Sequence, residues 1–153
     1  MLIKGPEQEL IEIKNIILDL NGTLANLGKV SEKAKQLIFD LKKLNYNIVL
    51  ISGDIRGNAA DIAKELDIDL FLGANSNEKA KQMQQFNKEE TAAIGNARID
   101  IGTFINSKIA IATLQNEGIH AKILEHIDIL VPSIEDALNL FIETKSLEAT
   151  LRI

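Results

Sequence analysis

The sequence predicts a three-layer, Rossmann-like α/β fold with a mainly parallel sheet and helices on both faces. Two observations carry this. Short runs that are apolar almost throughout, such as "NIVLIS", "TAAIG" and "KIAIAT", recur along the chain. Strands without polar alternation are buried on both faces, as in parallel sheets. Between these runs lie segments whose apolar residues recur at helical spacing. Strand and helix in alternation call for βαβ units. At 153 residues the chain is long enough for one domain with a real core, and 1–153 is read as one domain.

The elements come in this order. Residues 1–14 stand outside the alternation; Gly5-Pro6 suggests a turn between two short extended pieces, a hairpin at the sheet edge. "NIILDL" is the first strand of the sheet. Ser31 is a suitable N-cap for a helix over "SEKAKQLIFDLKKL", with Ala34, Leu37, Ile38, Leu41 and Leu44 on one face. "NIVLIS" is the second strand, and "NAADIAKEL" a helix that turns Ala59, Ile62, Ala63 and Leu66 inward. "DLFLG" is a strand, "NEKAKQMQQF" a helix and "TAAIG" the fourth strand, followed by a short helical turn around "RIDIGTFI". "KIAIAT" and "IDILV" are further strands. A helix over "SIEDALNLFIE" has Ile134, Ala137, Leu138, Phe141 and Ile142 on one face. The tail "KSLEATLRI" is compatible with ordered or frayed chain.

Composition narrows the function. Net charge is −5, from 22 acids against 17 bases, which argues against a general nucleic-acid or anionic-membrane surface. With no Trp and one Tyr there is no evident aromatic platform for single-stranded nucleic acid. The absence of Cys excludes disulfides and thiolate metal sites. No apolar run reaches transmembrane length and the N-terminus lacks a long apolar segment, so a cytoplasmic protein is expected.

In open α/β sheets ligands bind beyond the carboxyl ends of the strands. The first strand is followed by Asp19, Asn21, Gly22 and Thr23. The second is followed by Ser52, Gly53 and Asp54, and the fourth by Gly95, Asn96 and Asp100. Lys79 opens the helix before that fourth strand. Together they suit phosphoryl transfer. A carboxylate can attack phosphorus and form an acyl phosphate. A small hydroxyl residue and backbone N–H groups can hold phosphate oxygens. A lysine can neutralise charge spread in the transition state. Magnesium prefers oxygen ligands and keeps waters, so one or two carboxylates suffice. Each residue also has a plainer reading: Asp19 as a turn residue, Ser52-Gly53 as a turn pair, Lys79 as solvated surface, Asp100 as a helix N-cap. His120 and His126 are too isolated to suggest a metal pair.

These four stations resemble the motifs of the haloacid dehalogenase-like (HAD) superfamily. "LDLNGTL" resembles its first motif, "ISGD" its second, Lys79 its third and "IGNARID" its fourth, and the likeness covers almost the whole chain. Within the superfamily it is nearest to small soluble proteins that resemble the phosphorylation domain of P-type ATPases. The resemblance implies a magnesium-dependent phosphohydrolase working through an aspartyl phosphate. Asp19 would be nucleophile and metal ligand, and the backbone carbonyl of Asn21 a second ligand. Ser52, the Gly53 N–H and Lys79 would hold phosphate, Asp100 would anchor the metal, and Asn96 would stand beside it. Asn21 replaces the acid–base Asp of most family phosphatases and Asn96 another usual acid, while Ala97 and Ile99 replace the usual Gly and Asn. Turnover is therefore expected to be slow. The alternative is a regulatory module that keeps phosphate and magnesium binding without turnover. The intervals Thr23–Ser52 and Gly53–Lys79 leave no room for a cap. The crevice should be open to a phosphorylated substrate, unless a second copy of the chain covers it.

Overall fold

A computed structural model describes residues 1–7 and 9–152. Two short strands come first, β1 (Leu2–Lys4) and β2 (Leu10–Glu12), paired antiparallel. Six strands then form one parallel sheet: β3 (Asn15–Leu18), β4 (Asn47–Ser52), β5 (Asp69–Leu72), β6 (Thr91–Gly95), β7 (Ile109–Thr113) and β8 (Ile129–Val131). Their spatial order is β5-β4-β3-β6-β7-β8. Counting only these six, that is the doubly wound order 3-2-1-4-5-6.

Strand side chains alternate between two faces, and here both faces are apolar. Ile16, Leu18, Leu50, Ile94 and Ile111 enter one core, and Ile17, Val49, Ile51, Ala93 and Ala112 the other. The register sets Ile17 between Val49 and Ala93. The first core is covered by α1 (Glu32–Lys43), α2 (Ala59–Leu66), α5 (Ile134–Asn139) and α6 (Thr144–Leu151). The second is covered by α3 (Ser76–Met83) and α4 (Ile101–Phe104). Ser31 caps α1, accepting from the Ala34 N–H at 3.0 Å. Ala59, Ile62, Ala63 and Leu66 are all buried under α2, as their spacing predicts.

Two expectations are corrected, and one left open is decided. The N-terminal hairpin exists but does not lie at the edge of the main sheet, whose edges are β5 and β8. It forms its own two-stranded sheet, and Ile3, Ile11 and Ile13 feed the first core. Its chain runs straight into the central strand, since Lys14 donates to the Glu90 carbonyl and accepts from the Asn47 N–H. The tail is ordered as α6, anchored by the fully buried Leu147. Leu44 is not on the buried face of α1: it is the C-cap residue and is exposed, because the chain turns away at Asn45 with φ 66°.

Candidate active site

Progression along the sheet reverses between β3 and β6. Loops leaving two such strands diverge and open a crevice. A cavity of about 400 Å³ lies there, with Asp19, Asn21 and Gly53 in its wall. The Asp19 N–H donates to the Ile94 carbonyl at 2.9 Å, so the β3–β6 ladder holds the backbone at the residue that carries the carboxylate.

Lys79 has no exposed surface, although it stands near the start of a mostly polar helix. Its Nζ lies 2.6 Å from Asp19 Oδ1 and 2.7 Å from Asp100 Oδ1. Two buried carboxylates thus share one ammonium. Burial opposes the charge on Lys79, but the two carboxylates outweigh it and hold its pKa above the ordinary lysine range. Burial pushes the Asp19 pKa up to about 6, the Asp100 charge adds to the rise, and Lys79 offsets it only in part.

The raised Asp19 pKa has a consequence for stability. An ionised Asp19 is disfavoured by folding, so it destabilises the native state at any pH above about 6. That effect fades as pH falls toward the unfolded value of 3.8. Asp19→Asn, which can still accept from Lys79, is expected to be more stable than wild type by ~2–3 kcal/mol at pH 8. Urea unfolding at pH 8 and pH 4 should show the gain at the first and its disappearance at the second.

Asp100 is fully buried and both its oxygens have protein donors. Oδ1 faces Lys79, while Oδ2 accepts from the N–H groups of Asn96 at 2.9 Å and Ala97 at 2.8 Å. A Cβ at Gly95 would lie 2.6 Å from Asp100 Cγ, so the carboxyl folds back onto a bare glycine backbone. The carboxyl expected from the sequence to anchor the metal thus also shapes the 95–100 turn and holds Lys79. The Asp100 side chain does not cap α4, since it serves backbone N–H groups earlier in the chain.

Asn96 is tied to two other loops. Thr23 Oγ1 donates to its Oδ1 at 3.3 Å, and its Nδ2 donates to the Gly118 carbonyl at 3.0 Å. A carbonyl only accepts. A carboxylate at this position would set oxygen against oxygen, which gives a physical reason for the amide. Asn21 Oδ1 is buried and has no hydrogen-bond partner among the described residues. Ser52 is fully buried and its Oγ accepts from the Asp54 N–H at 2.9 Å, so Gly53 rather than Ser52 reaches the crevice wall. Asp54, at φ 51°, accepts from the Ala59 N–H at 2.9 Å and so ties the loop to the start of α2.

The loop after β7 was not singled out by motif. Thr113 Oγ1 donates to the Gly22 carbonyl at 3.4 Å and Gln115 Nε2 to the Thr23 carbonyl at 2.6 Å. Their only signal in the sequence is position at or just beyond a strand end. His120 joins by its backbone, its N–H donating to the Asn96 carbonyl, and not by its imidazole.

Among the described residues, no three His, Cys, Asp or Glu side chains converge on a point. A divalent ion in the crevice would draw on Asp19 and on neutral oxygens, of which Asn21 Oδ1 is buried and unpartnered. Such an all-oxygen set with few charges fits magnesium, which fills its shell with water and phosphate oxygens.

The chain is 27% identical over 123 residues to a soluble P-type ATPase-like phosphatase from Methanocaldococcus jannaschii, covering 77% of this chain and 45% of that protein. It thus spans less than half the length of this curated relative. Among solved structures it superposes on the cobalt-bound deoxy-D-mannose-octulosonate 8-phosphate phosphatase of Haemophilus influenzae. There the TM-score is 0.73 with 16% identity, covering 90% of this chain and 92% of the other. The chain has the HAD-like fold. The 3-deoxy-D-manno-octulosonate 8-phosphate phosphatase of Moraxella catarrhalis, solved with magnesium, phosphate and a KDO molecule, shares the fold with a TM-score of 0.72. Its identity is 14%, over 90% of each chain. No protein-family model matches. The fold is capless: only α1 lies between β3 and β4, and only α2 and β5 lie between β4 and α3. No helix among the described residues is long and apolar enough to cross a membrane.

Proposed function

We propose that this HAD-like protein is a magnesium-dependent phosphohydrolase that forms an aspartyl phosphate on Asp19. The observation that carries the reading is the buried Asp19–Lys79–Asp100 cluster, whose Asp19 lines an open crevice. Asp19 attacks phosphorus in line, and Lys79 balances the charge that develops on the phosphoryl oxygens. The Gly53 N–H, with Ser52 behind it, holds a phosphoryl oxygen. Asp100 positions Lys79. Asp19, Asn21 and Asn96 would hold the metal, which when bound would supply positive charge against the phosphate. The relative named as a phosphatase and the magnesium- and phosphate-bound structure of the same fold support this chemistry. Asn21 cannot move a proton, so breakdown of the phosphoenzyme is slow.

Beryllium fluoride with magnesium mimics an acyl phosphate and should raise the melting temperature with concentration. Ligand at about 100 times its Kd contributes about 2.7 kcal/mol. Asp19→Ala should lose the shift. Unchanged melting of the wild type at saturating reagent would overturn the reading. Asn21 itself favours a second reading, a module that binds phosphate without turnover. Release of inorganic phosphate from acetyl phosphate separates the two.

A further inference from the structure

The wall of the crevice is mostly apolar. Ile55, Ala74, Ala97 and Ile99 line it, and Ile55 is 87% exposed. Ile55 is the most exposed large apolar residue among the described residues, and it stands beside three other apolar wall residues rather than alone on the surface. Ile99 Cδ1 and the Ala74 Cα both lie within 4 Å of the place a Cβ on Gly53 would take, so the apolar wall begins beside the proposed phosphate site. Ile99 and Ala97 are two of the residues by which the fourth motif departs from the family pattern.

The charges on the wall point the same way. Among the described residues, no Lys, Arg or His lines the crevice wall, and Asp54 does. One Asp54 oxygen accepts from Ala59, and its negative charge repels any second anionic group on a substrate. Arg56, the next cation along the loop, is not part of the wall and lies 3.9 Å from Glu117 Oε1. The site therefore suits a phosphoryl group whose other substituent carries no negative charge and can lie against isoleucine and alanine.

The chemistry narrows the class further. Asn21 cannot protonate a leaving oxygen, so the leaving group must depart as an anion. A phenolic oxygen does so readily, its parent pKa being about 10, whereas an alkoxide does not. We infer that the crevice is built for phosphomonoesters of an uncharged aryl alcohol, with the ring held between Ile55 and Ile99. This rests on the aspartyl-phosphate reading of the site. In the step, an Asp19 oxygen forms a bond to phosphorus as the bond from phosphorus to the aryl oxygen breaks. The aryl oxide leaves with the electron pair and takes its proton from solvent. Water then hydrolyses the aspartyl phosphate, releasing phosphate and restoring the carboxylate.

The test compares phenyl, methyl and acetyl phosphate with magnesium, on wild type, Ile55→Asn and Ile55→Asn/Ile99→Asn. The wild type should prefer phenyl over methyl phosphate by at least about a hundredfold in kcat/KM, the lower range of a missing acid–base contribution. The double variant should lose about tenfold on phenyl phosphate, chiefly in KM. Its loss on acetyl phosphate, which has no ring to hold, should be clearly smaller than its loss on phenyl phosphate. Ile55→Asn alone, at an 87% exposed position, carries no risk to folding and should show part of the loss. Unchanged kcat/KM for phenyl phosphate in both variants would overturn the inference. Turnover of acetyl phosphate with phenyl no better than methyl would overturn the substrate class alone. No turnover of acetyl phosphate, with no beryllium fluoride shift, would overturn the phosphohydrolase reading and this inference with it.

Discussion

Lys79→Met is expected to destabilise the fold by about 3–5 kcal/mol at pH 8, the range seen when one partner of a buried ion pair is removed. The side chain has no exposed surface, and it is the cation that faces Asp19 and Asp100. Met fills similar space but leaves two carboxylates buried without an opposite charge. The Asp19 pKa should rise further once the Lys79 charge that offsets its burial is gone. A carboxylate whose folded pKa is raised destabilises above that value and is relieved as pH falls, so the deficit should shrink at pH 5. Denaturant unfolding at the two pH values checks this, and equal stability of variant and wild type at pH 8 would contradict it. If the variant does not fold, Lys79→Met/Asp100→Asn removes one stranded charge and should recover part of the loss. Neither variant should form a phosphoenzyme.

Asn21→Asp should speed turnover of alkyl phosphates by about 10²–10⁴-fold, or roughly 3–5 kcal/mol of barrier. The surroundings favour the acid form: Asn21 Oδ1 is buried, has no donor among the described residues, and lines the same crevice as Asp19. A carboxyl group there, close to another carboxylate, holds its proton to higher pH and can give it to a leaving oxygen. The gain should be smallest for aryl and acyl phosphates, which leave without a proton. Equal rates on alkyl phosphates would show that the missing acid never limited the reaction. An Asn-Gly pair is prone to deamidation, which would create the same acid. In the fold, Gly22 N, the atom that would attack the side chain, is held in a turn with its N–H on the Ala25 carbonyl at 2.9 Å. Intact mass of the sample should accompany the rates.

Much of this site is legible in the chain because parallel sheets place function at strand ends. "NIVLIS" and "TAAIG" are apolar on both faces, which leaves them no place but the middle of a sheet. Asp19, Gly53, Asn96 and Asp100 each come after such a run within a few residues, so they converge without any long-range information. The helices obey the same local logic: Ala59, Ile62, Ala63 and Leu66 share a face because of helical spacing, and that face is buried.

The roles within the cluster depend on partners far away in the chain. Lys79 reads like Lys81 along the helix, and only packing against the sheet turns one into the buried cation and leaves the other exposed. Asp100 reads as a free carboxylate, but its two oxygens are taken by Lys79, 21 residues away, and by two N–H groups of its own turn. Asn96 reads as a weakened acid, and the Gly118 carbonyl, 22 residues on, makes the amide the better fit. The hairpin has no period that could say which side of the sheet it joins; Ile3, Ile11 and Ile13 settle that by entering a core already formed by other elements. Hydrophobic periodicity is a local property of the chain. A hydrogen bond or ion pair between residues distant in sequence exists only once packing has brought them within about 3 Å of each other.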